Sequence, residues 1–180
     1  YFNRPIPVKP ADNTISKVDW RDAKYSTPVK DQGSCGACWA FTATVVYESM
    51  IAITTWNAPV RLSEQEYTNC VRGGCNGGWY ETAWSYSFDK GGQLSYTDLP
   101  YVGSTLECKN PEGKRSLPPK TNRYTAPKTA TDIKLELAKG PLAVAVSASG
   151  GFGSYKSGIF KGPCEMSINH AVVMVGWGFD

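Results

Sequence analysis

The sequence predicts an α+β protein of two lobes packed side by side, with a cleft between them. Three observations predict it. The run from Cys38 to Ile53, "CWAFTATVVYESMIAI", is apolar on nearly every face, the pattern of a helix buried around its whole circumference. Further helical signals follow it through the first half of the chain. The second half ends in two apolar, partly β-branched runs, "PLAVAVSA" and "AVVMVGWG", bounded by Gly and Pro as strands are. Helices first and strands second give segregated layers, and the seam between two such lobes is a natural binding cleft. At 180 residues the chain is long enough for a sizeable core.

Taken in order, Tyr1 to Asn13 is rich in Pro and polar residues and reads as an extended arm. The central helix follows. "LSEQEY" carries a capping box, with Ser63 as cap and Glu66 three residues later, so a short helix begins there. "CNGGW" is a tight glycine turn. "WYETAWSYSF" places aromatics at helical spacing, and core packing is the expectation for Trp84 and Phe88. Gly91 to Ala130 is loop-rich, with Pro100, Pro111, Pro118, Pro119 and Pro127. "TDIKLELAKGP" is one short helix closed by Gly140 and Pro141, and the two strand-like runs complete the chain. There is no internal repeat and no low-complexity tract.

Composition narrows the function. Apolar residues make up 41% and charged residues 19%, as in a globular protein rather than a disordered one. The net charge is +3, but Lys and Arg are scattered and form no basic run, which argues against nucleic acid or an anionic membrane surface as partner. No apolar stretch is long enough to span a bilayer. The first residues, "YFNRPIPVKPADNT", lack the apolar segment of a secretory leader, so an exported form would already have lost one. No Asn-x-Ser/Thr acceptor is present, and no metal or organic cofactor is implied.

The six cysteines are Cys35, Cys38, Cys70, Cys75, Cys108 and Cys164. Zinc would prefer two close pairs with His support, and the Cys70/Cys75 spacing is loose for that. A thioredoxin-like pair at Cys35/Cys38 would need a βαβ context that is absent. Disulfides plus a free thiol fit better and point to an oxidising compartment, although the sequence alone does not choose the pairing.

A thiol attacks a carbonyl as the thiolate, so it needs a lowered pKa and a nearby base. Cys38 stands where a Gly/Ser turn enters the central helix, and the positive end of a helix stabilises a thiolate. The chain has a single histidine, His170, at the start of an apolar strand. A lone histidine is more often structural than catalytic, but a helix-end Cys and a strand-end His can meet across an interlobe cleft.

"QGSCGACWAF", "GCNGGW" and "INHAVVMVGWG" resemble the papain-like cysteine proteases of the cathepsin L and plant papain type. The match begins near "VDWRD" at Val18 and runs to the last residue. The resemblance implies a papain-like two-lobe fold, with a helical lobe over 23–125 and a β-rich lobe formed by 1–22 and 126–180. It implies Cys38 as nucleophile, His170 as its imidazolium partner, and Gln32 with the Cys38 backbone N–H as donors to the oxyanion. It pairs Cys35 with Cys75 and Cys70 with Cys108. An extended peptide would lie along Gly77 and Gly78 by main-chain hydrogen bonds. The pocket for the residue two before the scissile bond would be lined by Trp79, Tyr80, Ala145 and Ile168, and would favour Leu or Phe over charge. Asn169 stands beside the histidine where many relatives have Asp, and is expected to alter the pH profile.

The family's imidazole-orienting Asn has no counterpart in "AVVMVGWGFD" after His170, and Cys164 is left unpaired. Both features read as a heavy-chain portion lacking a C-terminal segment, with a light chain disulfide-linked through Cys164. The leading expectation is a cysteine endopeptidase acting on peptides or proteins, controlled by pro-segment or cystatin-like inhibitors, and lysosomal, vacuolar or secreted. The alternatives are an inactive homologue or fragment that binds peptides or inhibitors, and an exopeptidase whose cleft is blocked at one end.

Overall fold

The computed structural model describes residues 17–21, 24–109, 112–116 and 129–179. The arm from Tyr1 to Asn13, and Pro111, Pro118, Pro119 and Pro127, lie outside the described residues. In chain order the elements are β1 (Val18–Asp19), α1 (Cys38–Thr55), α2 (Glu64–Cys70), α3 (Tyr80–Asp89), β2 (Gln93–Leu94), β3 (Arg115–Ser116), α4 (Ala130–Leu137), β4 (Leu142–Val146), β5 (His170–Met174) and β6 (Gly176–Trp177). A 3₁₀ turn, Gly150–Ser154, follows β4.

Helix α1 organises the rest because it has no polar face to turn to water. Its N-terminal half gives Trp39, Ala40 and Ala43 to a core that also holds Cys35, Ala37, Tyr67 and Ala83. Its C-terminal half gives Ile53 to a second core with Val18 and Trp20, against which Met50, Tyr25 and Trp177 pack. Helices α2 and α3 contact α1, as do β4 and β5. Each large apolar side chain buried this way contributes about 1.5–3 kcal/mol. The helix ends at Trp56, which takes a left-handed conformation at φ 58° and returns its N–H to the Ala52 carbonyl.

Among the described residues the strands form three two-stranded antiparallel pairs. The run "AVVMVGWG" is divided at Val175: β5 pairs with β4, placing His170 opposite Val146, while β6 pairs with β1. The Trp20 indole N–H donates to the Leu137 carbonyl at 2.7 Å and so fastens β1 to the end of α4.

Two local expectations are corrected. Phe88 is not core: it is 39% exposed and meets Tyr47 edge-on at 6.4 Å. Small residues, Ala83 and Ser87, take the buried face of α3, and a ring as large as Phe88 is left outside. Trp84 is partly buried against the first core, as expected. The box at Ser63 is half formed. The Ser63 hydroxyl accepts the Glu66 N–H at 3.1 Å, but the Glu66 carboxylate turns away to accept the Leu94 N–H at 2.7 Å and Arg115 at 2.6 Å. A complete capping box closes α4 instead, with Thr129 and Asp132 exchanging bonds one turn apart.

Glu48 lies fully buried in the middle of α1. Its carboxylate accepts from Lys30 at 2.7 and 2.8 Å, from the Thr27 hydroxyl at 2.8 Å and from the Leu62 N–H at 2.7 Å, and Lys30 pairs with buried Glu64 as well. Burial still pushes the Glu48 carboxyl above its ordinary value, against the opposing pull of Lys30. A buried charge stripped of its partner is strongly destabilising. Lys30→Met is therefore expected to cost about 3–5 kcal/mol, read as a fall in the denaturant midpoint at neutral pH.

At the surface, Arg21 hydrogen-bonds Asp19 and holds its carboxyl down to about 2. The folded form thus binds this proton less readily than the unfolded chain. The stabilisation is present above the ordinary carboxylate value and is lost as pH falls toward 2. The stability difference between wild type and Arg21→Ala should stay below about 1 kcal/mol for so exposed a partner. It should shrink to nothing over that acid range in pH-dependent denaturation.

Candidate active site

The turn before α1 is built by close approach. Gly36 donates its N–H to the Cys75 carbonyl at 2.9 Å, and a Cβ at Gly36 would collide with that same oxygen. Disulfides join Cys35 to Cys75 and Cys70 to Cys108, so their four sulfurs are committed to bonds and not to a metal. Cys38 and Cys164 are free thiols, Cys164 fully at the surface. The bridge at Cys35 ties the turn that carries Cys38 to the glycine turn beyond Cys75. Gly78 in that turn lies flat on the Trp39 indole, whose ring carbons would be 2.7 Å from an added Cβ.

Cys38 is the first residue of α1. The cap position is Ala37, which supplies no side-chain bond, and the first turn carries no acidic residue. Among the described residues, the backbone N–H groups of Cys38 and Trp39 have no backbone acceptor. A helix end left open in this way presents partial positive charge and free donors beside the sulfur.

A cleft of about 220 Å³ lies over this helix end. One wall is Cys38 with Gly77, Gly78, Trp79 and Tyr80, and the other is Ala145 with Ile168, Asn169, His170 and Ala171. The structure thus brings together every cleft residue expected from the sequence except Gln32. Gln32 stands in the preceding loop, where its side-chain amide donates to the Cys35 carbonyl at 2.8 Å and its own carbonyl accepts from the Tyr101 hydroxyl at 2.8 Å. One amide N–H is left after the first of these bonds.

His170 is placed by strand pairing. Its neighbour Asn169 donates its backbone N–H to the Val146 carbonyl at 3.1 Å, accepts from the Ala148 N–H at 2.8 Å and donates to the Ser149 hydroxyl at 2.8 Å. Three bonds from one residue therefore clamp the start of β5 to the end of β4 and the segment after it. Ala171 was not foreseen in the cleft. It sits directly opposite Ala145 in the β4–β5 pair, so both small side chains share one face. Trp79 and Ile168 remain 58% and 60% exposed, leaving the cleft an apolar rim.

A family model described as papain family cysteine protease matches residues 14–180. The chain is 38% identical to ananain of Ananas comosus over 164 residues, covering 91% of this chain and 47% of that one. It overlays the structure of the bromelain protease from Ananas comosus in complex with the E64 inhibitor with a TM-score of 0.80 and 36% identity, covering 92% of this chain and 77% of that one. It also overlays the ragweed pollen allergen Amb a 11 cysteine protease in its proform, with a TM-score of 0.79 and 33% identity, over 96% of this chain and 54% of that one. The chain belongs to the papain family of cysteine proteases. It spans about half the length of ananain.

Because the Cys38 turn and the glycine turn touch through Gly36, Gly36→Ala should force them apart. A slower reaction of Cys38 with iodoacetamide than in wild type, with both disulfides intact by mass spectrometry, is the expected result.

Proposed function

We propose that this protein is a cysteine endopeptidase in which Cys38 is the nucleophile and His170 its acid–base partner. The observation that carries the reading is the cleft itself. It sets a free thiol at an open helix N-terminus on one wall and the chain's single histidine on the other.

In this reading the Cys38 sulfur attacks the scissile carbonyl carbon. The oxyanion is received by the Cys38 backbone N–H and the remaining Gln32 amide N–H. His170 gives its proton to the departing amine, leaving a thioester. Water then attacks that thioester, with His170 taking a proton from it, and the free acid and the thiolate are restored. The substrate runs extended along Gly77 and Gly78. Its side chain two before the scissile bond enters the space among Trp79, Tyr80, Ala145 and Ile168, which suits Leu or Phe and excludes charge. Asn169 acts on His170 by position, through the bonds it makes to residues after β4.

Exposed Cys164 is proposed to bond a cysteine on another chain, as a light chain would supply. A pro-segment, like that of the ragweed relative's proform, and cystatin-like proteins are the expected inhibitors, since both present extended chain to such a cleft. Two formed disulfides support a vacuolar, lysosomal or secreted setting. No helix among the described residues is long and apolar enough to cross a membrane.

The test is covalent labelling and turnover. E64 should add one equivalent at Cys38, and Cys38→Ala should abolish both labelling and hydrolysis of N-blocked peptides. Leu or Phe two before the scissile bond should exceed Asp or Lys at least tenfold in kcat/KM. Labelling elsewhere, or undiminished turnover by Cys38→Ala, overturns the reading. Intact mass with and without reductant checks Cys164: release of a second peptide on reduction is the expected outcome.

A further inference from the structure

We propose that Tyr101 is a positioning residue for the reaction: it sets where the Gln32 side-chain amide stands relative to the Cys38 N–H. The inference rests on the proposed role of those two groups as donors to the oxyanion.

The two donors belong to different segments. The Cys38 N–H is part of α1, and the Gln32 amide hangs from the loop before it. Both serve an oxyanion only when each lies about 2.7–3.1 Å from the oxygen, so the loop must be held at a set distance from the helix end. The loop does little to hold itself. Among the described residues, Asp31, Gln32, Gly33 and Ser34 make no backbone–backbone hydrogen bond. The Gly33 N–H turns inward to the Asp31 carboxylate at 2.8 Å, and an added Cβ at Gly33 would meet nothing within 4 Å.

Tyr101 supplies the missing tie. Its hydroxyl donates to the Gln32 carbonyl at 2.8 Å, and among the described residues it is the one donor from a distant segment that reaches this stretch. The same ring meets Phe41 edge-on, with centroids 4.8 Å apart. Phe41 lies in the first turn of α1, on the helix that begins with Cys38. One side chain thus touches the helix that carries one donor and the backbone that carries the other. Tyr101 is itself fastened on both flanks to the start of α2. The Ser63 hydroxyl donates to the Leu99 carbonyl at 2.6 Å, the Val102 N–H donates to the buried Gln65 side chain at 2.8 Å, and the Gln65 amide donates to the Ser104 carbonyl at 2.8 Å. Burial, with the Glu64 and Asp31 carboxylates nearby, raises the Tyr101 hydroxyl above its ordinary value, so it stays protonated and keeps donating.

The test pairs Tyr101→Phe, which keeps the ring and loses the hydroxyl, with Gln32→Ala and the double variant. With an N-acetyl-Leu-Gly substrate carrying a fluorogenic amine, Tyr101→Phe should lower kcat and kcat/KM together by about three- to tenfold, the contribution of one neutral hydrogen bond, with KM little changed. In the Gln32→Ala background the same substitution should cost nothing further, because the amide it positions is gone. Alkylation of Cys38 by iodoacetamide forms its bond at a saturated carbon and needs no oxyanion donor, so its rate and pH profile in Tyr101→Phe should match wild type. A wild-type kcat/KM in Tyr101→Phe, an equal cost with and without Gln32, or a parallel fall in alkylation overturns the proposal. The burst of p-nitrophenol from an N-blocked glycine p-nitrophenyl ester reads acylation of Cys38 apart from peptide cleavage, in the same set of proteins. If no peptide is cleaved yet the ester acylates Cys38, the proposed peptidase activity falls and the ester series decides the role of Tyr101. If neither substrate reacts with wild type, both fall.

Discussion

Helix α1 is buried over most of its surface, and the rest of the structure depends on that burial. A helix so apolar must be covered on most sides. Its first half is covered by α2 and α3 through Ala83 and Tyr67, and its second half by Val18, Trp20 and the strands beyond. The N-terminal end of α1 carries Cys38 into the cleft, opposite the start of β5. The site is thus a consequence of how the central helix is covered.

That burial carries an electrostatic condition. Glu48 sits inside α1 where no solvent reaches it, and Lys30, Thr27 and the Leu62 N–H supply what water would have supplied. Lys30 lies at the end of the segment that leads into the Cys38 turn. The same ion pair that neutralises the buried carboxylate therefore anchors the approach to Cys38. A parallel arrangement at Glu66, with Arg115 and the Leu94 N–H, draws β2 and β3 beneath α2. These buried charges join segments distant in sequence, Lys30 to Glu48 and Arg115 to Glu66.

The two walls of the cleft are positioned by different means. The thiol wall is set by covalent and steric constraint: the Cys35–Cys75 bridge, the Gly36 contact and the Gly78–Trp39 contact leave it little room to move. The histidine wall is set by hydrogen bonds, through the β4–β5 register and the three bonds of Asn169. In the proposed mechanism the first wall holds the attacking atom and the glycine pair in fixed relation. The second holds a ring whose proton must move between sulfur, leaving group and water.

Much of this was legible in the sequence, for physical reasons that can be named. The apolar run after Cys38 is too continuous for a surface helix, and the β-branched runs near His170 belong in paired strands, so the α+β order and the helix-end and strand-end positions of Cys38 and His170 followed from local pattern. Which cysteines pair did not follow from spacing, and came from the resemblance to a family before the structure placed them. Other features were decided by tertiary contacts. Phe88 has the spacing of a core residue, but α3 approaches α1 through Ala83 and Ser87, and close approach leaves no space for its ring. Glu66 has the position of a capping residue, but a half-buried arginine and a buried strand N–H took its carboxylate in place of its own helix end. Ala171 entered the cleft because strand register set it across from Ala145, a relation between residues far apart in the chain. Local sequence determined what each segment is, because periodicity and capping act within a few residues. The fold decided which side chains share a wall, because that depends on how separately formed segments cover one buried helix.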